Sequence, residues 1–370
     1  MKKSVGIITF HASHNYGSML QAYALQQVLL NLGFDCEIIN FRTEIQKKLY
    51  CLPYLRGNFG SRIKHLLAYL PFLYVLKKKD YLFESFLIKE LKLSSCEFST
   101  SKELELSNLQ YDYYISGSDQ IWNIQGLDFD WAYFLSFIKN KKKVAYAPSM
   151  GPFPFIDEKS LKYIAQYIAD YDAISVREQS TVDCLKGVLH VEYPLVLDPT
   201  LLLPSTSWST WIGEEPIFKG EYIFLYAPCY DASVFKMAQL LSKQLKLKVV
   251  VSQLYGAIRA DSWLLDSTFT AYLKVGPKEF LNLCKYATCT IGKSFHLAIF
   301  SILLNVPFFI IDGLKDSRTR TLLQSLKLTS QAIDSTKQST FSLDINFEEA
   351  FRIIEKKRGD SLKWLQEALG

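Results

Sequence analysis

The sequence lacks most of the signatures that would settle its class at once. Its seven cysteines, at 36, 51, 96, 184, 229, 284 and 289, form no C-x-x-C pair. That spacing fits reduced thiols in a cytosol better than a disulfide framework. Only five histidines occur, with only His11 and His14 close together, too scattered for a zinc site. No G-x-G-x-x-G follows the first apolar run, so a dinucleotide fingerprint is missing. The longest comparable apolar run, residues 67–76, contains Pro71 and falls far short of the roughly 20 residues a membrane helix needs. Residues 1–10, MKKSVGIITF, imitate a signal peptide, but the apolar part is too short and no small-residue cleavage site follows. There is no long basic tail, and 42 basic against 37 acidic residues leave +5, which gives no support to a nucleic-acid partner.

What is present is apolar and aromatic. A hydrophobic content of 49%, with 25 Phe and 22 Tyr, excludes disorder. A chain of 370 residues is long enough for two cores. Residues 5–10 read as a buried strand, Leu25, Val28, Leu29 and Leu32 recur at helical spacing, and residues 34–39 read as a second strand. Gly33 stands where a helix end wants positive φ. The result is a βαβ unit, whose first loop lies at the carboxyl edge of a parallel sheet, where such sheets bind ligands. His11, His14, Asn15, Tyr16 and Gly17 lie in or beside that loop. Gly17 and the following amides fit an anion-binding helix start, or the loop is an ordinary polar turn.

The α/β pattern continues with strands near 113–115, 144–147 and 173–176 and a helix at 159–169. Residues 195–203, ending at Pro204, read as the exit from a first domain, 1–204. A second series begins at Tyr222: strand, helix at 231–246, strand, a helix opened by Pro277, then "TCTI" leading through Lys293, Ser294 and Phe295 to His296 and an apolar helix. The expected architecture is two Rossmann-like α/β domains facing across a cleft, similar to GT-B, with the second at 205–345 and a terminal helix at 346–370. In residues 42–92 eleven basic residues face four acidic ones, a net +7 among many aromatics. That is either a helical insertion with a solvated lysine face or a surface for anionic lipid.

Six segments then carry a resemblance in order: "FHASHNYGSMLQAYAL", "ISGSDQIWN", "AISVREQST", "VLDPTLLL", "GPKEFLNLCKYATCTIGKSFHLAIFS" and "SRTRTLLQSLKL". Together they resemble the polysaccharide pyruvyl transferase family over roughly residues 4 to 330. The resemblance implies transfer of a pyruvyl group from phosphoenolpyruvate to a sugar of a surface polysaccharide or its precursor, forming a pyruvate ketal. It implies a GT-B-like fold with the donor on the second domain, and a saccharide acceptor, lipid-linked in one version of the reading. No cofactor or metal is expected beyond the donor substrate, and the expected location is cytoplasmic, peripheral to the membrane if 42–92 docks there.

Ketal formation needs an acid for the enol carbon and a base for the sugar hydroxyl, which suits histidine. His296 matches the family's histidine motif and is the expected catalytic residue. A small polyanion bound at micromolar affinity, about 8 kcal/mol, needs several charge-assisted bonds of about 1.5–3 kcal/mol each. Arg177, Lys293, Ser294, Arg318 and Arg320 are the candidates on the donor side. Some family members carry arginine two residues before the histidine and a small residue after it, where this chain has Ser294 and Leu297. Asn15, Tyr16, Gly17, Ser118, Asp119 and Trp122 are expected on the acceptor side, Trp122 as an aromatic platform. Asp119 fits an Asx turn equally well. Two other classes share the fold or the pocket: a nucleotide-sugar glycosyltransferase using Asp128-Phe129-Asp130 as a metal-binding D-x-D, and a non-catalytic carbohydrate-binding protein.

Overall fold

The computed structural model describes residues 2–50, 60, 62, 63, 67, 69–256, 260–337 and 340–370. Much of the expected insertion, at 51–59, 61, 64–66 and 68, lies outside the described residues.

Two six-stranded parallel sheets form the frame. In the first, β1 (Ser4–Ile8), β2 (Asp35–Phe41), β3 (Leu93–Phe98), β4 (Tyr113–Ser116), β5 (Lys142–Ala145) and β6 (Ala173–Ile174) lie in the order β3-β2-β1-β4-β5-β6. In the second, β7 (Tyr222–Tyr226), β8 (Lys248–Val251), β9 (Phe269–Ala271), β10 (Cys289–Gly292), β11 (Phe308–Ile311) and β12 (Ala332–Ile333) lie in the order β12-β11-β10-β7-β8-β9. Renumbered from its own first strand, the second order is the same as the first. Both are doubly wound sheets, whose chain reverses direction beside the first strand, at β1/β4 and at β7/β10. Central strands such as YYIS and YIFLY are buried at every position, as sheets covered on both faces require.

The helix Tyr16–Asn31 packs between the sheets and is buried along most of its length. Leu20, Leu25 and Leu29 are fully buried there, each contributing about 1.5–3 kcal/mol. Leu32 ends the helix and Gly33 follows with φ +94°, as the sequence indicates. One apolar cluster runs from β1 through this helix and the helix Leu73–Glu90 to Phe224, Phe280 and Phe300 of the second domain, so the domains share a core.

The basic segment is not a detachable insertion. It is an enlarged crossover between β2 and β3, and its helix Leu73–Glu90 wedges against both domains. Phe83 stacks on Tyr16, Trp211 Nε1 donates to Glu90 at 3.0 Å, and Lys79 Nζ donates to the Ser252 carbonyl at 2.9 Å. The C-terminal helix Glu348–Leu369 returns across the domains: Arg358 donates to the Leu201 carbonyl and Leu197 N to Ser361 Oγ.

Candidate functional site

The switch points of the two sheets meet. The first-sheet helix begins at Tyr16, capped by Asn15, whose Oδ1 accepts from Gly17 and Ser18 amides. On the second sheet, Ser294 caps the helix Phe295–Leu303 by accepting from Leu297 N. A Cβ built on Gly17 would lie 2.1 Å from His296 Nδ1. Glycine is therefore required at 17 by close approach: the histidine of one domain lies against the backbone of the other.

His296 Nε2 faces Asp198 Oδ2 at 3.6 Å and has no hydrogen-bond partner in this buried position. Asp198, at the start of the linker between domains, also accepts from Thr200 N at 3.0 Å and Thr200 Oγ1 at 2.6 Å. Burial alone would raise the Asp198 carboxyl, but the His296 interaction and the charges of His296 and Arg177 hold it well below the ordinary carboxylate range.

Arg177 is 6% exposed and is ringed by three carboxylates. Its Nη1 donates to Asp198 at 2.8 Å, its Nε to Glu178 at 3.4 Å, and its Nη2 lies 3.8 Å from Asp119. Burial works against its charge, and the three carboxylates more than offset that. Among the described residues, Nη2 has no hydrogen-bond partner although it is buried. The guanidinium carbon lies 4.8 Å from the centre of the Phe295 ring. An unpaired buried donor of this kind costs about 1–3 kcal/mol, and Asp119 Oδ1, 3.8 Å away, is too far to relieve it.

Phe295 lines two cavities. One, of 340 Å³, is bounded by Arg177, Asp198, Arg318 and the C-terminal helix. The other, of 290 Å³, is bounded by Phe153 of the first domain and by Lys293, Ser294, Lys315 and Thr319 of the second.

The donor-side candidates therefore separate. Arg177 and Arg318 reach the first cavity and Lys293 and Ser294 the second. Lys293 is bonded to Asp231 at 2.7 Å, and Arg318 to Asp316 through Nε at 3.0 Å and Nη2 at 2.5 Å. Arg320 is exposed, reaches the Leu314 carbonyl at 3.3 Å and lines neither cavity. His296 lines neither cavity directly; its neighbours Phe295 and Asp198 do.

The acceptor-side expectations need correction. Trp122 is fully buried, stacks on Phe134 and donates to Ser116 Oγ, so it is core and not a platform. Tyr16 is buried between Phe83 and Phe280. Ser118 is buried and donates to the Ala147 carbonyl at 2.7 Å. Asp119, at φ +73°, is turned inward toward Arg177. Asn15 is occupied by its cap, and Gly17 makes room for His296. The opening loop is polar for structural reasons. His11 bonds Asn40 and the Thr9 carbonyl, and burial lowers its pKa. His14 bonds Glu84 at 2.7 Å and stacks on Phe83, tying the loop to the crossover helix.

The D-x-D is likewise occupied: Asp128 accepts from Tyr50 and Asp130 caps the turn at Trp131–Phe134. Among the described residues no three His, Cys, Asp or Glu cluster as a metal site. Two features escaped the sequence reading. Asp198 sits in "VLDPTLLL", where its neighbours Pro199 and Thr200 signal only a cap. Phe295 reads as an ordinary apolar residue.

Two doubly wound domains meeting at their switch points define a GT-B-type architecture. Solved structures agree on the fold. A UDP-GlcNAc 2-epimerase from Methanocaldococcus jannaschii is 12% identical, with a TM-score of 0.50 over 96% of this chain and 92% of that one. S. aureus MnaA with UDP is 11% identical, at 0.51 over 96% and 88%. No curated protein matches the chain in sequence. The family model "Polysaccharide pyruvyl transferase" matches residues 15–313, and the chain belongs to that family.

Proposed function

We propose that the protein transfers a pyruvyl group from phosphoenolpyruvate to two hydroxyls of a saccharide. The observation that carries this reading is the buried pair of His296 Nε2 and Asp198 Oδ2, 3.6 Å apart beside an unpaired Arg177 Nη2. Imidazolium at His296 protonates the donor's methylene carbon as a sugar hydroxyl adds to C2, and the neutral imidazole left behind takes that hydroxyl's proton; the proton of the second hydroxyl departs with the phosphate. The second hydroxyl then attacks C2, the C2–O bond to phosphate breaks, and a cyclic ketal and inorganic phosphate remain. Asp198 Oδ2 stands 3.6 Å from His296 Nε2 and places a carboxylate beside the imidazole. Arg177 Nη2 donates to the donor carboxylate, and the cavity with Lys293, Ser294 and Lys315, at the start of the helix Phe295–Leu303, receives the phosphate. The reaction requires no cofactor other than the donor.

A lipid-linked acceptor fits the outer face of the crossover helix. Tyr74, Tyr81 and Ile88 are exposed there, Tyr74 at 72% and Ile88 at 78%, beside exposed Lys77, Lys78 and Lys89. Such a face suits an anionic bilayer surface; no described helix is long and apolar enough to cross one. Sedimentation with anionic vesicles should weaken with added salt and with Lys77→Glu/Lys78→Glu, whereas no binding at low salt refutes this location.

The test of the reaction is phosphate release from phosphoenolpyruvate with pooled glycoside and lipid-linked acceptors, with the ketal identified in the product. Acceptor-dependent release with ketal formation supports it. Consumption of a nucleotide sugar in its place moves the protein to glycosyl transfer, and sugar binding with no release makes it a binding protein.

A further inference from the structure

The 340 Å³ cavity has a wall that the reaction above leaves unused. Its floor is Arg177 and Asp198, but its mouth is built by the C-terminal helix, which supplies Lys357, Asp360, Ser361 and Trp364, and by Arg318 and Leu322 from across the second domain. We propose that this mouth is the subsite for the acceptor saccharide, with Trp364 as the stacking face and Asp360 and Lys357 as hydrogen-bonding groups. The proposal rests on the pyruvyl-transfer reading for its link to the reaction.

At its mouth the lining has the composition of a sugar site. Trp364 is half-buried, held by Tyr146 at 6.0 Å between ring centres, and Leu195, Leu201 and Leu322 continue the apolar wall. Pyranose rings present an apolar C–H face and a rim of hydroxyls, which an aromatic ring with adjacent polar groups matches. Lys357 and Asp360 are exposed and, among the described residues, have no ion-pair or hydrogen-bond partner. Together they offer one cation and one anion, so they suit neutral hydroxyls better than a polyanion. Arg318, the other cation at the mouth, is held by Asp316. At the floor, Arg177 Nη2 is buried and, among the described residues, unpaired, so the cavity reaches the side chain assigned above to the donor carboxylate.

The test measures binding apart from turnover. Saturation-transfer NMR with a panel of methyl hexopyranosides is read on wild type, Trp364→Ala, Asp360→Asn and His296→Ala, each checked for an unchanged melting profile. Trp364 also packs on Tyr146, so the exposed Asp360 gives an independent variant. The expected result is saturation transfer from at least one glycoside in wild type and His296→Ala, reduced about tenfold or more in Trp364→Ala and Asp360→Asn. Transfer undiminished in both mouth variants, or no glycoside bound by wild type, overturns the proposal. Binding at the mouth with no phosphate release from phosphoenolpyruvate sinks the reaction and leaves the subsite standing.

Discussion

The two sheets share one strand order, yet their switch points do different work. After β1, the polar loop is occupied by the fold: His11 bonds Asn40, His14 bonds Glu84, and Asn15 caps a helix. After β10, the equivalent stretch presents Lys293 and Ser294 to an open cavity and leaves His296 Nε2 without a hydrogen bond. A carboxyl edge is therefore only a location. Ser13 Oγ and His14 Nδ1 of the first loop are also buried without a hydrogen bond among the described residues, so what distinguishes the second stretch is the open cavity its polar side chains line. The first domain contributes by closing on the second, through Gly17, Asp119 and Arg177.

The comparison breaks most sharply at Gly17. Gly17→Ala places a methyl group where His296 Nδ1 now sits, and overpacking typically costs about 1–3 kcal/mol. Activity should fall about a hundredfold because the histidine moves, while Ser18→Ala, one residue on, keeps near wild-type turnover. Equal losses in both would show that the loop matters as a whole and not through this contact.

Asp198→Asn removes one of three carboxylates around a buried guanidinium. Breaking one partner of a buried pair destabilises by about 3 kcal/mol or more, read as a lower urea midpoint, and turnover should fall about tenfold or more because Arg177 and His296 lose the carboxylate between them. Wild-type turnover would contradict the role given to Asp198.

Lys79 sharpens the contrast between paired and unpaired burial. Arg177 has three carboxylates, whereas Lys79 has a carbonyl and the Tyr16 ring, and burial pushes its pKa down to about 7. An unfolded lysine titrates near 10.4, so the unfolded chain binds the extra proton between those values and stability rises with pH across that window. The gain is at most about 1.4 kcal/mol per pH unit. Below pH 7 the full cost of the buried charge applies. Lys79→Met should raise stability at neutral pH and flatten its dependence from pH 7 to 10; an unchanged slope would show that the amine is not buried as charged.

The smallest effect concerns Trp122. Trp122→Phe should lower the melting temperature by a few degrees, consistent with about 1 kcal/mol of lost packing, and leave the Michaelis constant for any acceptor unaltered. A selective rise in that constant would restore Trp122 to the sugar site.

The frame was largely legible. Apolar runs marked β1, β2, β4, β5, β6, β7, β8 and β10, and the helix ends at Gly33 and Pro277 lie where expected. The other edge strands were not legible: β3 reads Leu-Ser-Ser-Cys-Glu-Phe, too polar for a buried strand, and β9 and β12 are three and two residues long. The histidine motif and Arg177 were also legible, the first by resemblance and the second by its place at a strand end. The acceptor side was misread because an aromatic and hydroxyls near a strand end fit a sugar platform and a folded-in loop equally well. Only the tertiary structure shows Ser118 and Trp122 turned into the core. Asp198 and Trp364 become meaningful only when distant segments meet, which spacing alone does not encode.

The central claim is that His296 carries the proton transfers at the meeting of the two switch points. Single-turnover phosphate release with phosphoenolpyruvate and acceptor, comparing wild type with His296→Gln alongside donor binding by calorimetry, tests it most directly. The account predicts a rate lower by about 10²–10⁴ with donor affinity changed by only a few-fold. A His296→Gln rate within a few-fold of wild type, with donor bound, would contradict it.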